Sequence, residues 1–172
     1  MRKFTTKDLT LAAMVAALYA VMSYFGNIFG LTFGPIQFRF AEALTVLPVL
    51  VPATVPGLFV GCLVTNLLSP YGPLDVVAGS LATLLAALWT AKMPNRWLAP
   101  LPPVICNMVL VGFTIGFAET GLSAALPAAW LYKGVTVGIE ELGACYALGL
   151  LLLYLLPRVK FFQPMIPEYR KI

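Results

Sequence analysis

The stretch Leu9-Thr10-Leu11-Ala12-Ala13-Met14-Val15-Ala16-Ala17-Leu18-Tyr19-Ala20-Val21-Met22-Ser23-Tyr24-Phe25 decides the fold. It contains no charged residue, it is rich in alanine and larger aliphatic side chains, and Asp8 stands ready to cap it. A membrane helix needs about 20 mainly apolar residues, so this run with its flanks is long enough to span. Arg2, Lys3 and Lys7 ahead of an apolar run also resemble a secretory signal peptide. The length of the run, and the further apolar runs that follow, favour a first transmembrane helix.

Outward from that helix the composition is the same. Of the 172 residues, 60% are hydrophobic and 10% charged, and the mean hydropathy is +0.92. Soluble domains average roughly 45–50% apolar and ~25% charged. Seven acids and eleven bases cannot solvate a globule of this length, so the bilayer is the solvent. The chain has room for about six spans with short connections and none for a soluble catalytic domain. The absence of histidine excludes Ser-His-Asp triads, HExxH zinc sites and haem-histidine ligation. No GxxxxGK[ST] loop occurs, so ATP is not bound in that way. Cys62, Cys106 and Cys145 lie far apart in apolar stretches and read as small hydrophobes, not disulfides or metal ligands. No catalytic residue, metal or cofactor is expected. The net charge of +4 reflects membrane topology better than it does nucleic-acid binding.

Charge clusters and Gly/Pro breaks divide the chain into spans at about 9–25, 38–52, 57–68, 74–91, 103–118 and 133–156. Three glycines, Asn27 and Pro35 make residues 26–37 a loop. Pro52-Ala53-Thr54-Val55-Pro56 and Ser69-Pro70-Tyr71-Gly72-Pro73 are turns that no helix crosses. With both termini cytoplasmic, Arg2, Lys3, Lys7, Lys92, Arg96, Arg158, Lys160, Arg170 and Lys171 lie inside, and only Arg39 and Lys133 outside. The expected fold is therefore an all-α integral membrane protein, a single domain of six transmembrane helices with both termini in the cytoplasm. Spans two and three are short for a hydrocarbon core of ~30 Å. Their ends need cover from protein or a water-lined cavity, which points to a pocket near the outer ends.

Most of the unusual polar residues gather there. Arg39 and Glu42 open span two, Asn66 and Asp75 flank the next turn, Glu119 ends span five, and Lys133, Glu140 and Glu141 lie in the outer part of span six. Tyr71 and Trp130 sit in the connecting loops. Ionisable residues at membrane depth are expensive and mark a site by default. Each also has a plainer reading. Arg39 and Glu42, at i,i+3, neutralise each other, and Glu119 and Lys133 pair across the last outer loop or sit in water. Asp75 is a charge at a helix N-terminus, Tyr71 and Trp130 are interfacial anchors, and Asn107 makes a helix–helix hydrogen bond. Glu140 and Glu141 point ~100° apart on a helix, so one of the two faces a shared pocket. Ala12, Ala16 and Ala20, with Ala13 and Ala17 beside them, form a small-residue stripe for internal packing or for docking a membrane partner. The pairs Gly57/Gly61, Ala82/Ala86 and Gly112/Gly116 show the same spacing, so it is not specific.

Two longer stretches are more specific. Gln37-Phe38-Arg39-Phe40-Ala41-Glu42-Ala43-Leu44-Thr45-Val46-Leu47-Pro48 resembles a signature of the QueT family, as does Asn66-Leu67-Leu68-Ser69-Pro70-Tyr71-Gly72-Pro73-Leu74-Asp75-Val76-Val77 with its continuation to Thr83. Glu141-Leu142-Gly143-Ala144-Cys145-Tyr146-Ala147-Leu148-Gly149 is similar to the family's last helix. The family comprises substrate-binding (S) components of energy-coupling-factor (ECF) transporters, assigned to queuosine precursors. The resemblance implies a six-helix bundle of the S-component type in a bacterial inner membrane, captures of a 7-deazaguanine (aminomethyl or cyano form, or queuine) from outside, and no enzyme activity. It also implies a transmembrane coupling subunit and two ATPases as partners, docking along the alanine stripe, and toppling of the S component to deliver its ligand. Ala41 stands where the family commonly has serine, and the doubled Glu140-Glu141 is a further departure; the spacing to Cys145-Tyr146 favours Glu141.

The ligand's chemistry suits the residues. A 7-deazaguanine offers a ring N–H beside an exocyclic amine, which one carboxylate accepts together. Its carbonyl needs a donor such as Asn66 or Arg39, and its flat bicycle stacks on Tyr71, Phe38 or Trp130. Glu141, Asp75 and Asn66 are the expected contacts with Tyr71 stacking, and Arg39, Glu42, Glu140 and Trp130 complete the candidate set. The alternatives are an S component for another vitamin such as thiamine, a stand-alone metabolite transporter, a membrane assembly subunit, and an intramembrane enzyme, for which no nucleophile or metal constellation is present.

Overall fold

The computed structural model describes residues 4–32, 39–160 and 162–166, and every regular element among them is helical. Helix α1 covers Thr6–Ile28. Its cap is Thr5, not Asp8 as expected. Asp8 is the third residue of a capping box: its backbone N–H donates to Thr5 Oγ1 at 3.4 Å, and the Thr5 N–H donates to Asp8 Oδ2 at 2.8 Å.

The second segment departs most from expectation. Phe40–Val49 is a ten-residue 3₁₀ helix, not an α-helix. Such helices seldom exceed four residues because their hydrogen bonds are poorly aligned. This one is wrapped by protein: residues 41–50 are all buried, among α1, helix α3 (Pro73–Thr90) and the last helix. Irregular backbone survives at membrane depth when protein covers it. Three residues per turn also stack Glu42, Thr45 and Pro48 on one face, and Pro48, having no N–H, cannot make the i→i−3 bond of its turn.

A single 3₁₀ turn, Pro52–Thr54, leads into α2 (Val55–Asn66), with Pro56 at a position where an N–H has no helical partner anyway. Gly72, at φ 72°, makes the entry to α3 that side chains rarely allow. Two rods follow. The first runs from Leu101 to Thr120 as α4 (Leu101–Cys106), a π-helical stretch (Asn107–Val111) and α5 (Gly112–Thr120). The second joins α6 (Leu126–Leu142), a π-helical stretch (Gly143–Gly149) and α7 (Leu150–Leu155), and ends in a 3₁₀ turn at Arg158. It starts before Lys133, where the last span was expected, because Pro127 is tolerated in a first helical turn.

Among the described residues, four helices are long and apolar enough to cross a membrane: Thr6–Ile28, Pro73–Thr90, Leu101–Thr120 and Leu126–Arg158. Phe40–Val49 and Pro52–Asn66 are shorter apolar helices, which brings the helical segments to the six expected. The basic residues Arg2, Lys3, Arg170 and Lys171 used for orientation lie outside the described residues.

Lipid tails are as apolar as leucine, so helices in a membrane associate by close approach and polar pairing. Glycines supply the close approach. A Cβ on Gly57 would stand 2.2 Å from the Ala12 carbonyl oxygen, and one on Gly61 would stand 2.9 Å from that of Ala16, so α2 rides directly on the α1 backbone. Gly112 and Gly134 do the same for α5 and α6. The alanine stripe is thereby divided. Ala12 is buried against α2, Ala16 and Ala20 are half-buried, and Ala13 and Ala17 stay exposed beside Met14 and Leu18. Lys133 pairs with Glu119 at 2.5 Å on the partly exposed surface, the less site-like of the arrangements open to them.

Candidate functional site

The 3₁₀ helix sets the centre of the site. Glu42 lies in its first turn and is fully buried. From α1, Tyr19 donates its O–H to Glu42 Oε1 at 2.5 Å. One 3₁₀ turn on, Thr45 Oγ1 donates to the Glu42 carbonyl at 2.6 Å, which uses up a hydroxyl that apolar surroundings would penalise. The Cys145 thiol stands across the same carbonyl at 3.4 Å and reaches Glu141 Oε1 at 3.6 Å. Asn107 Nδ2 donates to that Glu141 oxygen at 2.9 Å.

Asn107 opens one π-helical stretch, and Glu141 lies just before the other. A π register admits an extra residue per turn and re-aims nearby side chains. The two rods are thus irregular where they join each other across the site. Glu141, not Glu140, is turned to Asn107 and Cys145; Glu140 is half-buried.

A second set of polar groups comes from the α2–α3 turn. Asp75, in the first turn of α3, is fully buried, and Asn66, at the end of α2, is nearly so. Asn66 Nδ2 donates to the Asp75 carbonyl at 3.3 Å, and Ser69 Oγ donates to Asp75 Oδ2. Gly79 makes room for both side chains: a Cβ there would lie 2.6 Å from Asn66 Nδ2 and 3.1 Å from Asp75 Oδ1. Below them, Thr83 Oγ1 donates to Cys62 Sγ at 3.1 Å.

Arg39 links the two sets. It caps the 3₁₀ helix in an extended conformation, so it is not the i,i+3 helical partner of Glu42 that its spacing suggests. Its guanidinium is buried, donates from Nε to the Thr32 carbonyl at 3.4 Å, and interacts electrostatically with Asp75, Glu42 and Glu141. Glu42 and Glu141 in turn feel each other's charge.

Of the residues expected from sequence, Arg39, Glu42, Asn66, Asp75 and Glu141 therefore meet in one buried cluster. Tyr71 adjoins it: the ring packs half-buried beside Val111 and Ile115, and its backbone N–H donates to Ser69 Oγ, the group that also holds Asp75. Trp130 does not join. Its indole lies edge-on to Phe113 and donates to the Val109 carbonyl at 2.9 Å on the exposed α5–α6 surface. Phe38 lies outside the described residues. Asn107 has the helix–helix hydrogen bond that was one of its two readings. Tyr19, Cys62, Thr83 and Cys145 belong to the site without having been expected in it. For Tyr19 the signal was present, since a phenol inside an alanine-rich span needs a partner for its O–H.

Three buried oxygens of the cluster, Glu42 Oε2, Asn66 Oδ1 and Asp75 Oδ1, and Ser80 Oγ farther along α3, have no hydrogen-bond partner among the described residues. An unsatisfied buried group costs about 1–3 kcal/mol, more when charged, so these oxygens are expensive to the fold as they stand. A cleft of about 930 Å³ opens elsewhere, at the start of α1, between Thr5, Lys7, Thr10, Leu11, Lys160 and Met165. None of the expected site residues lines it.

A protein-family model described as QueT transporter matches residues 9–158. The chain is also similar to a protein of Lactococcus lactis subsp. cremoris named queuosine precursor transporter QueT, at 34% identity over 85 residues. That match spans 49% of this chain and 50% of the relative, about half the length of each. No solved structure matches the chain.

Proposed function

This chain belongs to the QueT transporter family, and from that premise we propose that it is the substrate-binding membrane component of an ECF-type importer that takes up a queuosine precursor. A transporter family and four helices long enough to cross a membrane make it a multi-pass membrane protein. The similar protein from Lactococcus lactis carries the name of a queuosine precursor transporter, and that substrate class is taken over here as part of the proposal.

The observation that carries the reading is the set of buried oxygens on Glu42, Asn66, Asp75 and Ser80 that have no hydrogen-bond partner among the described residues. A 7-deazaguanine presents adjacent N–H donors on its pyrimidine edge, and a carboxylate accepts two of them in one bidentate contact. Glu141 faces the cluster with one oxygen engaged by Asn107. Arg39 supplies positive charge for the ligand's carbonyl, and Tyr71 offers a ring for the bicycle.

Energy for uptake comes, in this reading, from a transmembrane coupling subunit and two ATPases, which fits a chain without a phosphate loop. The membrane is a bacterial inner membrane, both termini are cytoplasmic, and the ligand is captured from outside. Ala13 and Ala17, the exposed part of the α1 stripe, are the positions for docking that partner.

A binding titration on purified protein in detergent tests the proposal, with a 7-deazaguanine precursor and queuine as ligands and guanine and thiamine as controls. Saturable binding selective for the deazaguanines is expected. Binding of thiamine alone would remove the substrate assignment, and folded protein that binds none of these would remove the S-component reading.

A further inference from the structure

We propose that the cleft at the start of α1 holds the headgroup of an anionic phospholipid between Lys7 and Lys160. None of its lining residues belongs to the carboxylate cluster, so the inference is independent of the ligand bound there.

The cleft has two walls, the first turns of α1 and the segment that follows the last rod. That segment is fastened to the bundle. Ile166 is buried in the main core with Leu153 and Leu156, the Met165 and Ile166 N–H groups donate to the Phe162 carbonyl at 2.9 and 3.2 Å, and Gln163 Nε2 donates to the Pro157 carbonyl at 3.2 Å. The volume of about 930 Å³ lies in the range of roughly 300–1,000 Å³ common for small-molecule sites.

The lining is divided in its chemistry. Leu11, Pro164 and Met165 give an apolar floor, and the exposed Lys7 and Lys160 give two ammonium groups. Among the described residues no acidic side chain lines the cleft. The nearest acid in sequence, Asp8, is buried and takes both the N–H and the O–H of Thr5. Neither lysine makes an ion pair among the described residues. Two like charges facing one space repel each other, and an anion between them reverses the sign of that interaction.

Position selects the kind of anion. Lys7 stands in the first turn of α1, and Lys160 comes just after Arg158, where the last membrane-crossing rod ends. The cleft therefore sits where two spans leave the hydrocarbon. Phe4, Leu9 and Val159 expose large apolar side chains around it, which suits lipid tails better than water. A soluble anion needs the cations alone. A phospholipid uses both halves of the lining, with its phosphate on the ammonium groups and its glycerol–acyl junction on Leu11 and Met165. Bound there, it joins the first helix to the chain beyond the last rod.

The test titrates the full-length protein in neutral detergent with phosphatidylglycerol, phosphatidylcholine and glycerol 3-phosphate, reading retained ligand by native mass spectrometry. The variants are Lys7→Gln, Lys160→Gln and the two combined. Lys92→Gln, at an exposed lysine just past α3 and outside the cleft, is the control. Wild type should bind phosphatidylglycerol saturably and about tenfold or more tightly than phosphatidylcholine, and each cleft substitution should weaken that binding about fivefold. Lys92→Gln should leave it unchanged. Equal retention of the two lipids by wild type overturns the inference, as does undiminished binding in the double variant. A loss in Lys92→Gln as large as in the cleft variants also overturns it, since diffuse surface charge would then be the cause. Glycerol 3-phosphate binding as tightly as phosphatidylglycerol overturns the lipid assignment in favour of a free anion. The wild-type comparison needs no variant, and no result of it bears on deazaguanine binding, so the two readings fail separately.

Discussion

Glu42 shows how one residue joins stability to function. One carboxylate oxygen is fixed by Tyr19 and the other is open, so the residue is positioned by α1 while remaining able to accept. Tyr19→Phe removes the donor and leaves a second buried oxygen without a partner. It should cost about 1–3 kcal/mol of stability, read as a lower melting temperature in detergent. Glu141 is the complementary case, since its Asn107 bond spans the two rods. Glu141→Gln replaces a charged acceptor by a neutral one and should weaken ligand binding by ~1.5–3 kcal/mol, measured by titration. An unchanged affinity would assign Glu141 to holding the rods together. The carboxylates and Asn66 were legible in the sequence because ionisable and amide groups are costly at membrane depth. For Tyr19 the need for a partner was legible but its identity was not, because Glu42 lies 23 residues away in a segment whose path no local pattern reveals.

The elements bring these residues together by abandoning α-helical regularity at three places: the 3₁₀ segment and the two π-helical stretches. Hydropathy sees only that a segment is apolar, and so the six segments could be counted but their helix types could not. The three-residue spacing of Glu42, Thr45 and Pro48 is the one local trace of the 3₁₀ turn. Pro127 sits within the first turn of α6, so the last rod begins before Lys133, where hydropathy and charge had placed its start. Close packing gives two sharper predictions. Gly79→Ala should push Asn66 aside, because the added carbon meets its Nδ2 at 2.6 Å. Glycine-to-alanine changes inside helices normally stabilise by ~0.5–1 kcal/mol, so weakened ligand binding without lost helicity would identify the clash. Gly57→Ala meets backbone, which cannot rotate away. It should separate α1 from α2 and lower the melting temperature by more than Gly79→Ala does.

At the scale of the molecule, polar side chains from α1, the 3₁₀ helix, α2, α3 and both rods converge on one buried cluster inside a shell rich in exposed apolar side chains. The distribution of Lys and Arg predicts which way that assembly faces. With Cys106 replaced by serine, Ser123→Cys should react with an impermeant thiol reagent on intact cells, and Asn95→Cys only in inverted vesicles. The reverse pattern would contradict the proposed orientation. The alanine stripe was readable as a close-packing surface, but its division between α2 and the exterior depends on Gly57 and Gly61, which a sequence places forty-odd residues away. The central claim is that the carboxylate cluster captures the ligand. It is tested most directly by parallel calorimetric titrations of one 7-deazaguanine precursor into wild type, Glu141→Gln and Lys133→Ala. The account predicts saturable binding by wild type, a roughly ten- to hundredfold weaker affinity in Glu141→Gln, and no change in Lys133→Ala. Equal affinities for all three folded proteins would contradict it.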